Sequence, residues 1–108
     1  MTVNDLCNIE GFNPLTLPEG DREISGVYIG DLLSWVMGKA RSDNAWITIM
    51  SNINTLAVAS LTDVACVILA EGVTLEEEVK NAAENKGINV ITSAYSAYDT
   101  ALILSKAQ

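Results

Sequence analysis

A chain of 108 residues, 49% of them hydrophobic, is long enough to bury the core of one domain without help from a metal or disulfides. Fourteen acidic against six basic residues give a net charge of −8 with no basic run, a field that repels nucleic acid. No apolar run approaches the ~20 residues of a membrane span, and without histidine a metal site would have to be built of carboxylates alone.

The N-terminus, MTVNDLCNIEG, has neither the basic nor the apolar region of a signal peptide, so the expected compartment is the cytoplasm. Thr2 and Asp5 have capping-box spacing for a short helix to Glu10, with Val3, Leu6 and Cys7 on its apolar stripe. Gly11 stops it, and Asn13-Pro14 predicts a turn before a brief strand at Leu15-Thr16-Leu17. Glu23 to Ile29 reads as the next strand, left through Gly30-Asp31.

Asp31 is expected to cap the following helix, whose buried face would be Leu32, Leu33, Val36, Met37 and Ala40. Trp35 lies off that face. Ala45 to Met50 and Val64 to Ala70 are apolar runs rich in β-branched residues, as in strands buried on both sides. Between them, Ser51-Asn52-Ile53-Asn54 is a polar turn, and Ser51 or Asn54 is expected to cap a small-residue helix from Thr55 to Leu61. This is a βαβ unit, and it demands a parallel sheet with a right-handed crossover. Cys66 is most simply a small core residue.

Thr74 and Glu77 have capping-box spacing for a helix that ends at Gly87. Its charged residues, Glu76 to Glu78 among them, read as a solvated helix start rather than a catalytic pair. Ile88 to Ile91 is a short strand, and Ser96 with Asp99 opens a last helix to about Lys106. The order is α-β-β-α-β-α-β-α-β-α in a single domain, 1–108, with no internal repeat.

No histidine-based triad is possible, and neither GxGxxG nor GxxxxGK[ST] is present. What remains is geometric. In a parallel sheet every strand-to-helix turn lies at the carboxyl edge, where ligands of open α/β sheets bind. That edge would gather Asp31, Ser51, Asn52, Asn54, Gly72, Ser93 and Tyr95, whose hydroxyls, amides and backbone N–H groups can hold a small anion without lysine. Asn52, needed by no expected cap, is the first choice among them, and Tyr95 would look into the crevice.

The segments Asp21-Arg22-Glu23-Ile24-Ser25-Gly26, Gly30-Asp31-Leu32-Leu33-Ser34 and Trp46-Ile47-Thr48, with Asn52, Asn54 and Ala57-Val58-Ala59, carry a resemblance. From about Asp21 to Tyr98 the chain resembles the DRTGG domain family, and within it the small stand-alone proteins similar to the N-terminal domain of HPr kinase/phosphorylase. Here Ser25 stands for the motif threonine and Val27 for its second glycine. The resemblance implies a three-layer α/β/α sandwich with a mainly parallel sheet of about four to five strands. It also implies a regulatory, ligand-sensing role, as in the DRTGG domains that accompany CBS domains and phosphotransacetylase. It brings no kinase activity, because the catalytic domain and its phosphate loop are not part of the match.

The expectation is therefore a non-catalytic module, without cofactor, that binds a small anionic or nucleotide-like ligand at the carboxyl edge. The alternative is an acidic protein–protein adaptor of a redox or metabolic enzyme complex, with no small ligand. A helix apolar almost all round (Thr55 to Leu61), beside an off-face Trp35, further predicts a homodimer through these two helices.

Overall fold

The computed structural model describes residues 1–108. Ten elements follow in the expected order: α1 (Val3–Cys7), β1 (Phe12–Thr16), β2 (Val27–Ile29), α2 (Leu33–Lys39), β3 (Ala45–Thr48), α3 (Ile53–Thr62), β4 (Cys66–Leu69), α4 (Glu77–Lys86), β5 (Val90–Ser93) and α5 (Ala97–Ala107). The strands form one sheet in the order β1-β5-β4-β3-β2. β2, β3, β4 and β5 are parallel, and β1 closes the far side antiparallel to β5.

Each parallel strand lies beside the next in sequence, so every right-handed crossover steps the same way and its helix falls on the same face. The core divides accordingly. Trp46, Val67, Leu69 and Val90 point toward α2, α3 and α4, where Val36, Leu56, Val58, Ala59 and Ala83 meet them. Ala45, Ile47, Cys66, Ile68 and Ile91 point the other way, onto Val3 and Leu6 of α1 and Leu104 of α5. This is the expected α/β/α sandwich. β3 and β4 are buried at every position because both of their faces are covered. Burial pushes the Cys66 thiol up to about 12, so it stays neutral core, as the sequence predicts.

Several boundaries and caps differ from the sequence expectation, each for a physical reason. β1 runs straight through Asn13-Pro14 rather than starting after a turn there. Pro14 is tolerated because β1 is an edge strand, and an irregularity between Pro14 and Thr16 lets Thr16 turn inward. The Thr16 hydroxyl then donates to the Ile88 carbonyl and accepts from the Val90 N–H, which moves β5 on to Val90–Ser93. β2 shrinks to three residues, since Gly26 takes a positive φ and the Ser25 N–H bonds the Asp43 carbonyl ahead of β3.

The helix starts change most. Asp31 caps nothing: Leu32 is the N-cap of α2 and makes no side-chain bond. Of the five residues expected on the buried face of α2, only Val36 is fully buried, while Leu32 and Met37 are exposed. α2 follows the three-residue edge strand β2, where the sheet margin is too narrow to cover a broad helix face. The Thr74–Glu77 box does not form either. Val73 and Leu75 both pack on the core, which keeps 73–76 out of the helix and delays α4 to Glu77. The boxes at Thr2/Asp5 and the cap at Ser96 form as expected.

Candidate functional site

The amino edge of the sheet is a clasp of side chains. Arg22 donates through one guanidinium nitrogen to the Asp43 carboxylate at 2.8 Å and to the Asp63 carbonyl at 2.7 Å. Its other nitrogen sits 3.1 Å from the Asp63 carboxylate. Asp43 precedes β3 and Asp63 follows α3, both at left-handed backbone positions that a short polar side chain accepts. Partial burial works against the Arg22 charge, yet the Asp43 hydrogen bond and the two carboxylates together raise its pKa. The Asp63 carboxyl is held below the usual carboxylate range by the Ser42 hydroxyl and, against slight burial, by Arg22.

The rest of the Asp-Arg…Ser-Gly-Val stretch serves the same edge. The Ser25 N–H bonds the Asp43 carbonyl, and the Ala45 N–H bonds the Gly26 carbonyl. The Asn44 amide bonds the Ser25 carbonyl at 2.9 Å. Gly26 has φ +79, and a Cβ there would meet that Asn44 amide nitrogen at 3.0 Å, so glycine is required. Val27, the residue after it, is the first of β2 in ordinary strand pairing with Ala45, where a side chain is tolerated. Asn89 extends the clasp from below. Buried and fully paired, it accepts from the Glu19 N–H and donates to the carbonyls of Glu19 and Ala65. Sequence reading passed over Asn89; its only trace is a polar residue inside the apolar run Ile88 to Ile91.

The carboxyl edge is open. Between the starts of α3 and α4 lies a crevice of about 410 Å³ lined by Ser51, Asn52, Ile53, Glu76, Glu78 and Val79. Asn52 is the N-cap of α3, in place of Ser51 or Asn54: its side-chain oxygen accepts from the N–H groups of Asn54 and Thr55 at 2.9 and 3.3 Å. The expectation that no cap needs Asn52 is thus corrected. A cap uses only its oxygen, and the NH₂ group keeps no protein partner.

Asp31 shapes this edge from behind. Its carboxylate accepts from the Thr48 hydroxyl at 2.8 Å and the Ile49 N–H at 3.0 Å. Thr48 in turn accepts from the Met50 N–H, and the Thr55 hydroxyl donates to the Met50 carbonyl. The loop that delivers Ser51 and Asn52 is therefore fixed on both sides. Those carboxylate bonds outcompete capping of α2.

The other expected residues do not converge on the crevice. Asn54 is exposed on α3 and does not line it. The Gly72 N–H is used by the Ser93 carbonyl, and the buried Ser93 hydroxyl pairs with Thr100 and the Tyr95 N–H. Tyr95 turns away: its hydroxyl donates to the Glu10 carbonyl at 2.7 Å and its ring lies against Gly11. A Cβ on Gly11 would stand 2.5 Å from that ring, which is why glycine occupies the α1–β1 turn. Conversely, Glu76, Glu78 and Val79 join the site although their sequence pattern marks only a helix start. The non-helical 73–76 segment brings them in, and no local motif announces it.

The crevice can accept hydrogen bonds at the Glu76 and Glu78 carboxylates and donate them from the Asn52 NH₂ group. That suits a ligand rich in hydroxyl or amino groups better than a bare anion.

The crystal structure of the CBS and DRTGG domains of the regulatory region of a Clostridium perfringens pyrophosphatase, complexed with its activator diadenosine tetraphosphate, has the same fold. It matches with a TM-score of 0.74 at 14% identity, over 95% of this chain and 45% of that one. The chain thus spans less than half of that regulatory region. No curated protein sequence matches. The DRTGG domain model matches residues 19–107, from the Arg22 clasp to the end of α5, and the chain belongs to the DRTGG domain family.

Proposed function

We propose that this chain is a non-catalytic regulatory module that senses a small nucleotide-like ligand in the carboxyl-edge crevice and acts as a homodimer. The crevice itself is the observation that carries the reading: about 410 Å³ between two helix starts, within the size range of small-molecule sites. The ligand of the pyrophosphatase regulatory region supports the choice of class, and the donors and acceptors of the crevice refine it.

Glu76 and Glu78 would repel a naked phosphate in a chain already at −8. The nucleoside end therefore enters, with ribose hydroxyls or a base amino group donating to the carboxylates and the Asn52 NH₂ group meeting an acceptor. Phosphates stay toward the start of α3, where the Ile53 N–H and the helix dipole favour negative charge. Ser51 offers one more hydroxyl at the rim.

Thermal-shift measurements with AMP, ATP, diadenosine tetraphosphate, acetyl phosphate and inorganic phosphate test this. A nucleotide at a hundred times its dissociation constant adds about 2.7 kcal/mol of stability. Nucleotides should raise the melting temperature and inorganic phosphate should not. A flat response to every compound overturns the reading and favours the ligand-free adaptor.

A further inference from the structure

The acidic surplus is unevenly distributed. α2 and α3, seven and ten residues long, contain no aspartate or glutamate, and Lys39 is their one charged residue. Yet the whole chain carries −8. The two helices pack side by side on the same face of the sheet.

This acid-free face is also where apolar surface is left uncovered. Of the nine large hydrophobic residues exposed in the molecule, five lie here: Leu32, Trp35, Met37, Ile53 and Leu61. Ile53, Ala57 and Leu61 fall at i, i+4 and i+8 along the outer side of α3, and Trp35 is 61% exposed. The Lys39 ammonium stands 5.5 Å from the Trp35 ring centroid and covers only part of it.

We infer that a second copy of the chain covers the α2–α3 face in a two-fold dimer. Charge selects the occupant. A basic partner would be drawn to the acidic faces, not to this one. A second copy, itself at −8, meets the least repulsion on these two acid-free helices, with acids only at their ends (Asp31, Asp63), and there its own apolar residues meet their equivalents. An interface of standard size takes about 800 Å² per partner, roughly one seventh of this molecule's 5504 Å². The inference rests on the homodimer of the proposed function; Ile53, which lies on this face and also lines the crevice, is the one residue the dimer and the ligand share.

Sedimentation velocity tests the surface. The parent chain should be dimeric at roughly 100 μM, and Trp35→Glu or Leu61→Glu should weaken the dimer by about tenfold or more, as loss of an interface hot spot does. Tyr98→Glu, a substitution on exposed α5 across the sheet, should leave it intact. Because both copies are acidic, raising salt to physiological strength should tighten the dimer by screening repulsion. A parent monomeric at that concentration overturns the inference. So does a dimer that survives both α2–α3 substitutions, or one that loosens with salt. Circular dichroism on each variant separates lost association from lost fold. Nucleotide thermal shifts on the same samples report the ligand separately: a dimer with no nucleotide response removes the ligand alone, and a nucleotide-responsive monomer removes the dimer alone.

Discussion

The two edges of the parallel sheet are built on opposite plans. At the amino edge, polar side chains are consumed by one another: Arg22 by Asp43 and Asp63, Asn44 by Ser25, Asn89 by Glu19 and Ala65. At the carboxyl edge, the Asn52 NH₂ group and the Glu76 and Glu78 carboxylates stand around a crevice without protein partners. The family-naming segment lies at the closed edge, so here its arginine and its glycine hold the fold and do not face the crevice. Motif and candidate site are thus at opposite ends of the same strands. The clasp ties residues 22, 43 and 63, and 19, 65 and 89, across the amino ends of β3, β4 and β5, which steadies those strands while their other ends present the crevice.

The comparison breaks first at Asn89. Asn89→Leu keeps the branched shape but leaves the Ala65 carbonyl unpaired in a buried place and the Glu19 N–H unpaired in a part-buried one, which should cost about 3 kcal/mol. Equilibrium urea unfolding measures it. A loss below about 1 kcal/mol would mean that water repairs the bonds and the edge is not closed.

Arg22 comes next. Arg22→Met keeps the aliphatic stem and removes charge-assisted bonds to two loops, at a cost of about 2 kcal/mol. The effect has a pH signature. Asp63 has a lowered folded-state pKa, so its share of stability is present at neutral pH and is lost as pH falls through and below the usual carboxylate range. Removing Arg22 takes away part of that lowering, so the acid loss of stability should be shallower in the variant. Parallel pH–stability curves for parent and variant would show the clasp to be purely geometric.

Much of this contrast was hidden in the sequence, and particular residues show why. The element order, the parallel sheet and the neutral buried Cys66 follow from period and apolar runs, which are local. The Thr2 and Ser96 caps were also local. Asn52 was not legible, because Ser51, Asn52 and Asn54 are all competent caps and only the Asp31–Thr48–Met50 bonds decide where α3 begins. The clasp was invisible for a stronger reason: its partners lie some 20 to 70 residues apart, and no periodicity links them. Glu76 and Glu78 read as solvated because their place in the crevice depends on Val73 and Leu75 packing on the core ahead of α4.

Asp31 tests whether the open edge has a closed foundation. Asp31→Ala removes two acceptor bonds at a partly exposed site, for about 1 kcal/mol of stability. Since the loss falls on the loop before Asn52, amide hydrogen exchange should rise at Ile49 and Met50 and stay unchanged at the start of α2. Faster exchange at the start of α2 instead would restore Asp31 as a cap of that helix.

Asn52 sharpens the comparison most finely, because one side chain serves both plans: its oxygen caps α3 and its NH₂ group faces no protein partner. Asn52→Ala removes both and should cost about 1 kcal/mol, the usual worth of an N-cap. Asn52→Asp keeps the cap and suits the helix dipole, so stability should hold within about 0.5 kcal/mol. The same change deletes the donor and sets a third carboxylate beside Glu76 and Glu78, which should abolish the nucleotide thermal shift. Urea unfolding and thermal shift on the pair separate the roles. If Asn52→Asp is as stable as the parent and still answers nucleotides, the donor plays no part, and the ligand lies elsewhere on the open edge. If it is as unstable as Asn52→Ala, the amide NH₂ group is itself structural, and the carboxyl edge is more closed than its geometry indicates.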